Sequence, residues 1–82
     1  MSVTSRYRVR ATAEADAGAL PRLLARFQNL NLTPRRVVAE YSCIGQLHVE
    51  IDVAALPEET VQLIVAKLRE MPSIVDAHWC RP

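Results

Sequence analysis

The feature that most constrains this chain is the way its apolar residues change period along the sequence. "RYRVRAT", residues 6–12, alternates: Tyr7, Val9 and Ala11 face one way, and Arg6, Arg8, Arg10 and Thr12 the other. A period of two is that of a half-buried strand. The next segment sets Leu20, Leu23, Leu24, Phe27 and Leu30 at the spacing of one helical face. Asn31 suits the left-handed residue that closes such a helix. "PRRVVAEYS", residues 34–42, returns to a strand that runs from Pro34 to Ser42. A proline as its first residue suggests a sheet edge. Gly45 marks a turn. "QLHVEIDV", residues 46–53, then alternates with Leu47, Val49, Ile51 and Val53 inward and Gln46, His48, Glu50 and Asp52 outward.

Pro57 opens a second helix in its first turn, with Glu58 and Glu59 at the positive end of the dipole. Val61, Ile64, Val65 and Leu68 form its apolar stripe, Lys67 and Arg69 lie near its end, and Pro72 stops it. "SIVDAHWC", residues 73–80, closes the chain as a strand, with Val75, Ala77 and Trp79 toward the core and Asp76, His78 and Cys80 outward.

The order is strand, helix, strand, strand, helix, strand. Strand–helix–strand units turn through right-handed crossovers, and the middle strands form a hairpin. The expected fold is α+β: a ferredoxin-like βαββαβ sandwich. Its four-stranded, antiparallel sheet has the order 4-1-3-2, with both helices on one face. A chain of 82 residues is enough for one domain, with an ordered core over about 5–80. A domain this small buries only about 60–65% of its unfolded-chain surface, so pairing with a second subunit is expected.

The face without helices carries Arg6, Arg8 and Arg10 on the central first strand, between acids and histidines of its neighbours. The plain reading is a solvated, charge-balanced surface. Burial against a partner is compatible with it. RNA binding would use arginines with stacking aromatics, and no aromatic points outward here. A metal site from His48, Glu50, His78 and Cys80 is disfavoured, because the third and fourth strands flank the first and lie roughly 9–10 Å apart. Zinc ligands sit within about 2.0–2.3 Å of one ion. A net charge of +1 gives no bulk drive toward nucleic acid or membrane.

No apolar stretch approaches the roughly 20 residues of a membrane span. "MSVTSRYRVR" has no apolar signal core, so a cytoplasmic setting is expected. Cys43 and Cys80 are isolated and read as free thiols. There is no Ser/His/Asp arrangement, nucleophile-elbow sequence or phosphate loop. No enzyme activity, cofactor or metal is expected.

The start of the first helix is the candidate site. Pro21 lacks an N–H and fits the first turn, where helical amides have no partner. With Gly18 as N-cap, Pro21 is the third helical residue. The amides of Gly18, Ala19 and Leu20 are then expected to be free, with Asp16 just ahead and small residues at Ala17, Gly18 and Ala19. Free amides at the positive end of a dipole suit a carboxylate or phosphate. An ordinary helix start that needs only water is the alternative.

"GALPRLLARFQNLNLTP" resembles the opening of an ACT domain: its Gly-x-Leu start, first helix and approach to the second strand. "QLHVEIDV", "VQLIVAKLRE" and "IVDAHW" continue the likeness over nearly the whole chain. Within that family it is similar to the small regulatory subunits of acetolactate synthase. The resemblance implies a regulatory domain that binds an amino acid or other small ligand. It also implies a homodimer joined through the edge of the second strand, residues 34–42, acting on a partner metabolic enzyme. The ligand would lie between Asp16, Ala17, Gly18, Ala19 and Leu20 of one subunit and Thr33 and Pro34 of the other. Ala15 stands where the family often has Asp or Asn to hold a ligand amine, and Ala17 replaces its usual Pro. The carboxylate half of such a site is therefore better kept than the amine half. A structural or assembly module with a lost or altered site is the competing reading, and nucleic-acid binding through the open face a weaker one.

Overall fold

The computed structural model describes residues 6–82. Its elements are β1 (Arg6–Glu14), α1 (Ala19–Asn29), β2 (Arg36–Tyr41), β3 (Gln46–Ala54), α2 (Glu58–Arg69) and β4 (Ile74–Cys80). The strands form one sheet in the order β2-β3-β1-β4, and every neighbouring pair is antiparallel. This is the ferredoxin-like arrangement that the periods predict.

The inward residues of β1 and β3 meet in register, with Val9 opposite Ile51 and Ala11 opposite Val49. Leu23 and Phe27 of α1, and Val61, Ile64 and Leu68 of α2, close over them and are fully buried. Each buried aliphatic or aromatic side chain of this kind stabilises by roughly 1.5–3 kcal/mol against exposure. At the end of the core the Tyr7 and Trp79 rings meet edge to face, with centroids 5.5 Å apart.

Both ends of α1 form as the residue types require. Gly18 is its N-cap, and Pro21 is its third residue, where a missing N–H costs no helical bond. At the other end Asn31 takes φ 56°. The Leu32 amide donates to the Phe27 carbonyl at 3.0 Å, and the Asn31 amide to Gln28 at 2.9 Å. These are the two bonds of a Schellman motif, and Leu32 packs on the core beside them.

Four expectations need correction. Pro34 lies outside β2: pairing begins with the Arg35 amide, which donates to the Asp52 carbonyl at 2.7 Å, because Pro34 has no N–H to offer. Ser42 also lies beyond the strand, in the hairpin turn, where its hydroxyl accepts from the Gln46 amide at 3.2 Å. Pro57 is the N-cap of α2 with ψ 150°, one place before the helix. Val75 does not face the core and is 59% exposed. The cause is a bulge. Ala13 pairs with Ile74 but Thr12 with Asp76, which leaves Val75 as the extra residue. Ile74 takes its place against the core.

Candidate functional site

The β1–α1 loop is anchored from two sides. The Glu14 amide donates to Ser73 at 2.9 Å, and the Ala15 amide to Gly45 at 3.0 Å. Asp16 then turns back on the helix start. Its Oδ1 accepts from the Gly18 amide at 2.7 Å, and its backbone carbonyl from the Ala19 amide at 3.1 Å. Two of the amides expected to be free are thus engaged by Asp16. An Asp two residues before the N-cap can reach back in this way, and its negative charge suits the dipole.

Arg22, from the first turn, completes the arrangement. Its Nη2 donates to Asp16 Oδ2 at 2.9 Å and to Oδ1 at 3.1 Å. Together with the Gly18 amide, it holds the Asp16 carboxyl below the usual carboxylate range. Its guanidinium also covers Gly18, so a Cβ at that position would fall on the arginine. Reasoning from sequence missed Arg22. The signal was its spacing from Asp16, which places a cation one turn past the N-cap.

Asp16 and Ala17 are exposed, Gly18 and Leu20 half-buried, and Ala19 buried at 2% exposure. Ala19 therefore offers only its backbone, because its methyl belongs to the core. Thr33 is exposed and Pro34 half-buried at the far end of α1. The helix has 11 residues. At 1.5 Å per residue it separates these two groups by roughly 16 Å. One protomer does not bring them together.

β2 is an edge strand, exposed along almost its whole length. Val37 and Tyr41 pair with the inward residues Ile51 and Leu47, so they share the core-facing side of the sheet. They are nevertheless 40% and 60% exposed, because the helices leave this strand bare.

The open face is a lattice of charges in register. Asp52 lies between Arg36 and Arg8, and Glu50 between Val38 and Arg10. Asp52 accepts from Arg8 at 2.8 and 3.2 Å. Glu50 accepts from Arg36 at 3.0 Å and Arg10 at 3.2 Å. Arg8 holds the Asp52 carboxyl low, and Arg36 is foremost in doing so for Glu50. Asp52 in turn raises Arg8 above its ordinary value. Among the described residues, no cluster of three or more His, Cys, Asp or Glu side chains is gathered to hold a metal ion. No helix among them is long and apolar enough to cross a membrane.

The strand order, the antiparallel register and the two helices define the ferredoxin-like class. Within it, a family model described as an ACT-like domain matches residues 1–81, and the chain belongs to that family. Among solved structures, it is similar to the crystal structure of the ACT domain from GTP pyrophosphokinase of Chlorobium tepidum. The TM-score is 0.81 at 12% identity, over 95% of this chain and 100% of that one. The C-terminal domain of the MgtC protein from Mycobacterium tuberculosis gives 0.74 at 17% identity, over 94% and 86%. A homoserine dehydrogenase from Thiobacillus denitrificans gives 0.76 at 17% identity, where 96% of this chain covers 17% of that one. At these identities the likeness is one of fold. No curated protein matches the chain in sequence.

Proposed function

We propose that this ACT-like domain is a ligand-sensing regulatory module, not itself a catalyst, that works as a homodimer joined through the edges of β2. The observation that carries the reading is the state of that strand: an edge unpaired among the described residues, with Val37 and Tyr41 exposed on the side where a core should lie. A second copy added antiparallel would pair the edge and cover these side chains. It would also set residues 16–20 of one protomer against the partner's Thr33 and Pro34, which a single chain holds roughly 16 Å apart.

The ligand class we favour is an amino acid. Its carboxylate would take the Gly18 amide and the Arg22 guanidinium from Asp16. The released Asp16 would face the ligand amine, a role that Ala15 cannot fill. Ala17 leaves room for the approach, and Ala19 and Leu20 contribute backbone. Regulation follows if the ligand binds one state of the assembly more tightly than the other. Domains of this fold in GTP pyrophosphokinase and homoserine dehydrogenase support a metabolic enzyme as the partner. The sequence resemblance points to the acetolactate synthase system.

Calorimetric titration with each proteinogenic amino acid, beside sedimentation of the free protein, tests this. The expected result is a dimer that binds one amino acid or a few related ones, with Tyr41→Lys shifting the protein toward monomer and weakening binding. A dimer that binds none would instead support the assembly module, which the internal pairing of Asp16 with Gly18 and Arg22 favours. Nucleic-acid binding through the open face is weaker, since Arg8 and Arg10 are committed to Asp52 and Glu50.

A further inference from the structure

The end of the sheet farthest from the β1–α1 loop holds a depression of about 270 Å³ lined by Arg6, Arg8, Arg35, Arg36 and Asp52. The register explains the gathering. Arg8 and Arg36 both pair with Asp52, Arg6 lies opposite Ala54 at the start of β1, and Arg35 hydrogen-bonds through its amide to the Asp52 carbonyl. Four arginines thus line one depression that holds a single carboxylate.

These arginines are not equivalent. Arg8 is tied to Asp52 at 2.8 Å, and Arg36 to Glu50 at 3.0 Å and Asp52 at 3.7 Å. Arg6 and Arg35 form no ion pair with any described residue. Like charges gathered without counter-charge repel, and each is worth more to an anion that joins them. Guanidinium groups present their donors as a planar fork that matches the oxygens of a phosphoryl group. A phosphate monoester carries about −1.5 to −2 charges at pH 7, which balances the two unpaired arginines. Val53 and Ala54 add an apolar wall for a short organic part. The volume lies just below the roughly 300 Å³ at which ligand clefts usually begin, so the ligand is small.

We infer that this depression binds the phosphoryl group of a small phosphate monoester, held chiefly by Arg6 and Arg35. The site is separate from the β1–α1 loop, so the fate of the amino-acid site does not decide it, although Arg35 and Arg36 also stand at the start of the β2 edge proposed to pair.

The test is titration of the full chain with glycerol phosphate, inorganic phosphate and succinate, followed by calorimetry and arginine-resolved NMR. Glycerol phosphate should saturate below about 10 mM, inorganic phosphate should compete, and added salt should weaken both. The double variant Arg6→Gln/Arg35→Gln should lose at least about tenfold in affinity, as expected for charged hydrogen bonds removed. Arg26→Gln, on α1 and away from the depression, should leave it unchanged. If the double variant does not fold, Arg6→Lys and Arg35→Lys keep the charge while losing the fork, and each should still weaken binding severalfold. No saturation by glycerol phosphate, equal affinity in the arginine variants, or succinate binding as tightly as phosphate would each overturn the assignment.

Discussion

Asn31 holds the turn that leads from α1 to Thr33 and Pro34, and its replacement isolates the energy of that turn. At φ 56° its backbone is left-handed, a region that costs most L-residues roughly 1–2 kcal/mol. Asn tolerates it better than residues without a short polar side chain, and Gly tolerates it freely. The two closing bonds, at 2.9 and 3.0 Å, are backbone to backbone and survive any substitution that keeps the conformation. Asn31→Ala should therefore destabilise by about 1 kcal/mol, and Asn31→Gly should be near neutral. Since 1 kcal/mol moves the midpoint of a 60–100-residue domain by about 4–8 °C, thermal melts of the pair should separate by that amount. Urea unfolding should show a shifted midpoint at an unchanged slope, which marks a change in stability without a change in compactness. Equal stability of the two variants would refute the argument. It would mean that the left-handed backbone at this position is imposed by its surroundings at no cost to the side chain.

Two further outcomes concern the ion pairs and the bulge of β4. Asp16, Glu50 and Asp52 all have carboxyl groups held low in the folded state, so each contributes stability that is present above the unfolded carboxylate range near pH 4 and lost as pH falls through the lower folded values. Urea midpoints measured from pH 7 to pH 2.5 should stay level to about pH 5 and then fall. The fall should be shallower in Asp52→Asn and at high salt, and a flat profile would contradict the ion-pair lattice. At the bulge, Val75→Lys should stay within about 0.5 kcal/mol of wild type by chemical unfolding, while Ile74→Ala should cost about 2 kcal/mol. The reverse order would show that β4 pairs without the bulge.

Most of the fold was legible because each element repeats its own signal. Tyr7, Val9 and Ala11, and Leu47, Val49, Ile51 and Val53, are buried as their alternation predicts, and so are Leu23 and Phe27. Where the period was interrupted by one residue, the reading failed. Ser73-Ile74-Val75 offers two adjacent apolar side chains, and strict alternation with Ala77 and Trp79 selects the wrong one, Val75. The choice of Ile74 is made by its pairing with Ala13 on β1, which no local cue in β4 announces. Boundaries failed for a similar reason: the ladder of β2 starts where a donor exists, at Arg35, and not where the apolar pattern begins.

The candidate site was legible only in its backbone. Pro21 restricts its own backbone, and Gly18 and Asn31 tolerate what the helix ends need, so both ends of α1 could be placed from residue type. The side chains at those ends answer to neighbours that the linear order does not rank. Asp16 could have faced solvent or a ligand, but the Gly18 amide at 2.7 Å and Arg22 at 2.9 Å are close at hand, and it takes them. The same reasoning separates the arginines of the sheet. Arg6, Arg8 and Arg10 are alike in the alternation, yet the register sets Arg8 and Arg10 against Asp52 and Glu50 and leaves Arg6 opposite Ala54. A charge becomes available to a ligand when strand pairing gives it no partner, and that is decided by where β3 runs out of acids. Residues 46–53 supply acids only at Glu50 and Asp52, so the uncompensated positive charge must collect beyond Asp52, where Arg6 and Arg35 lie.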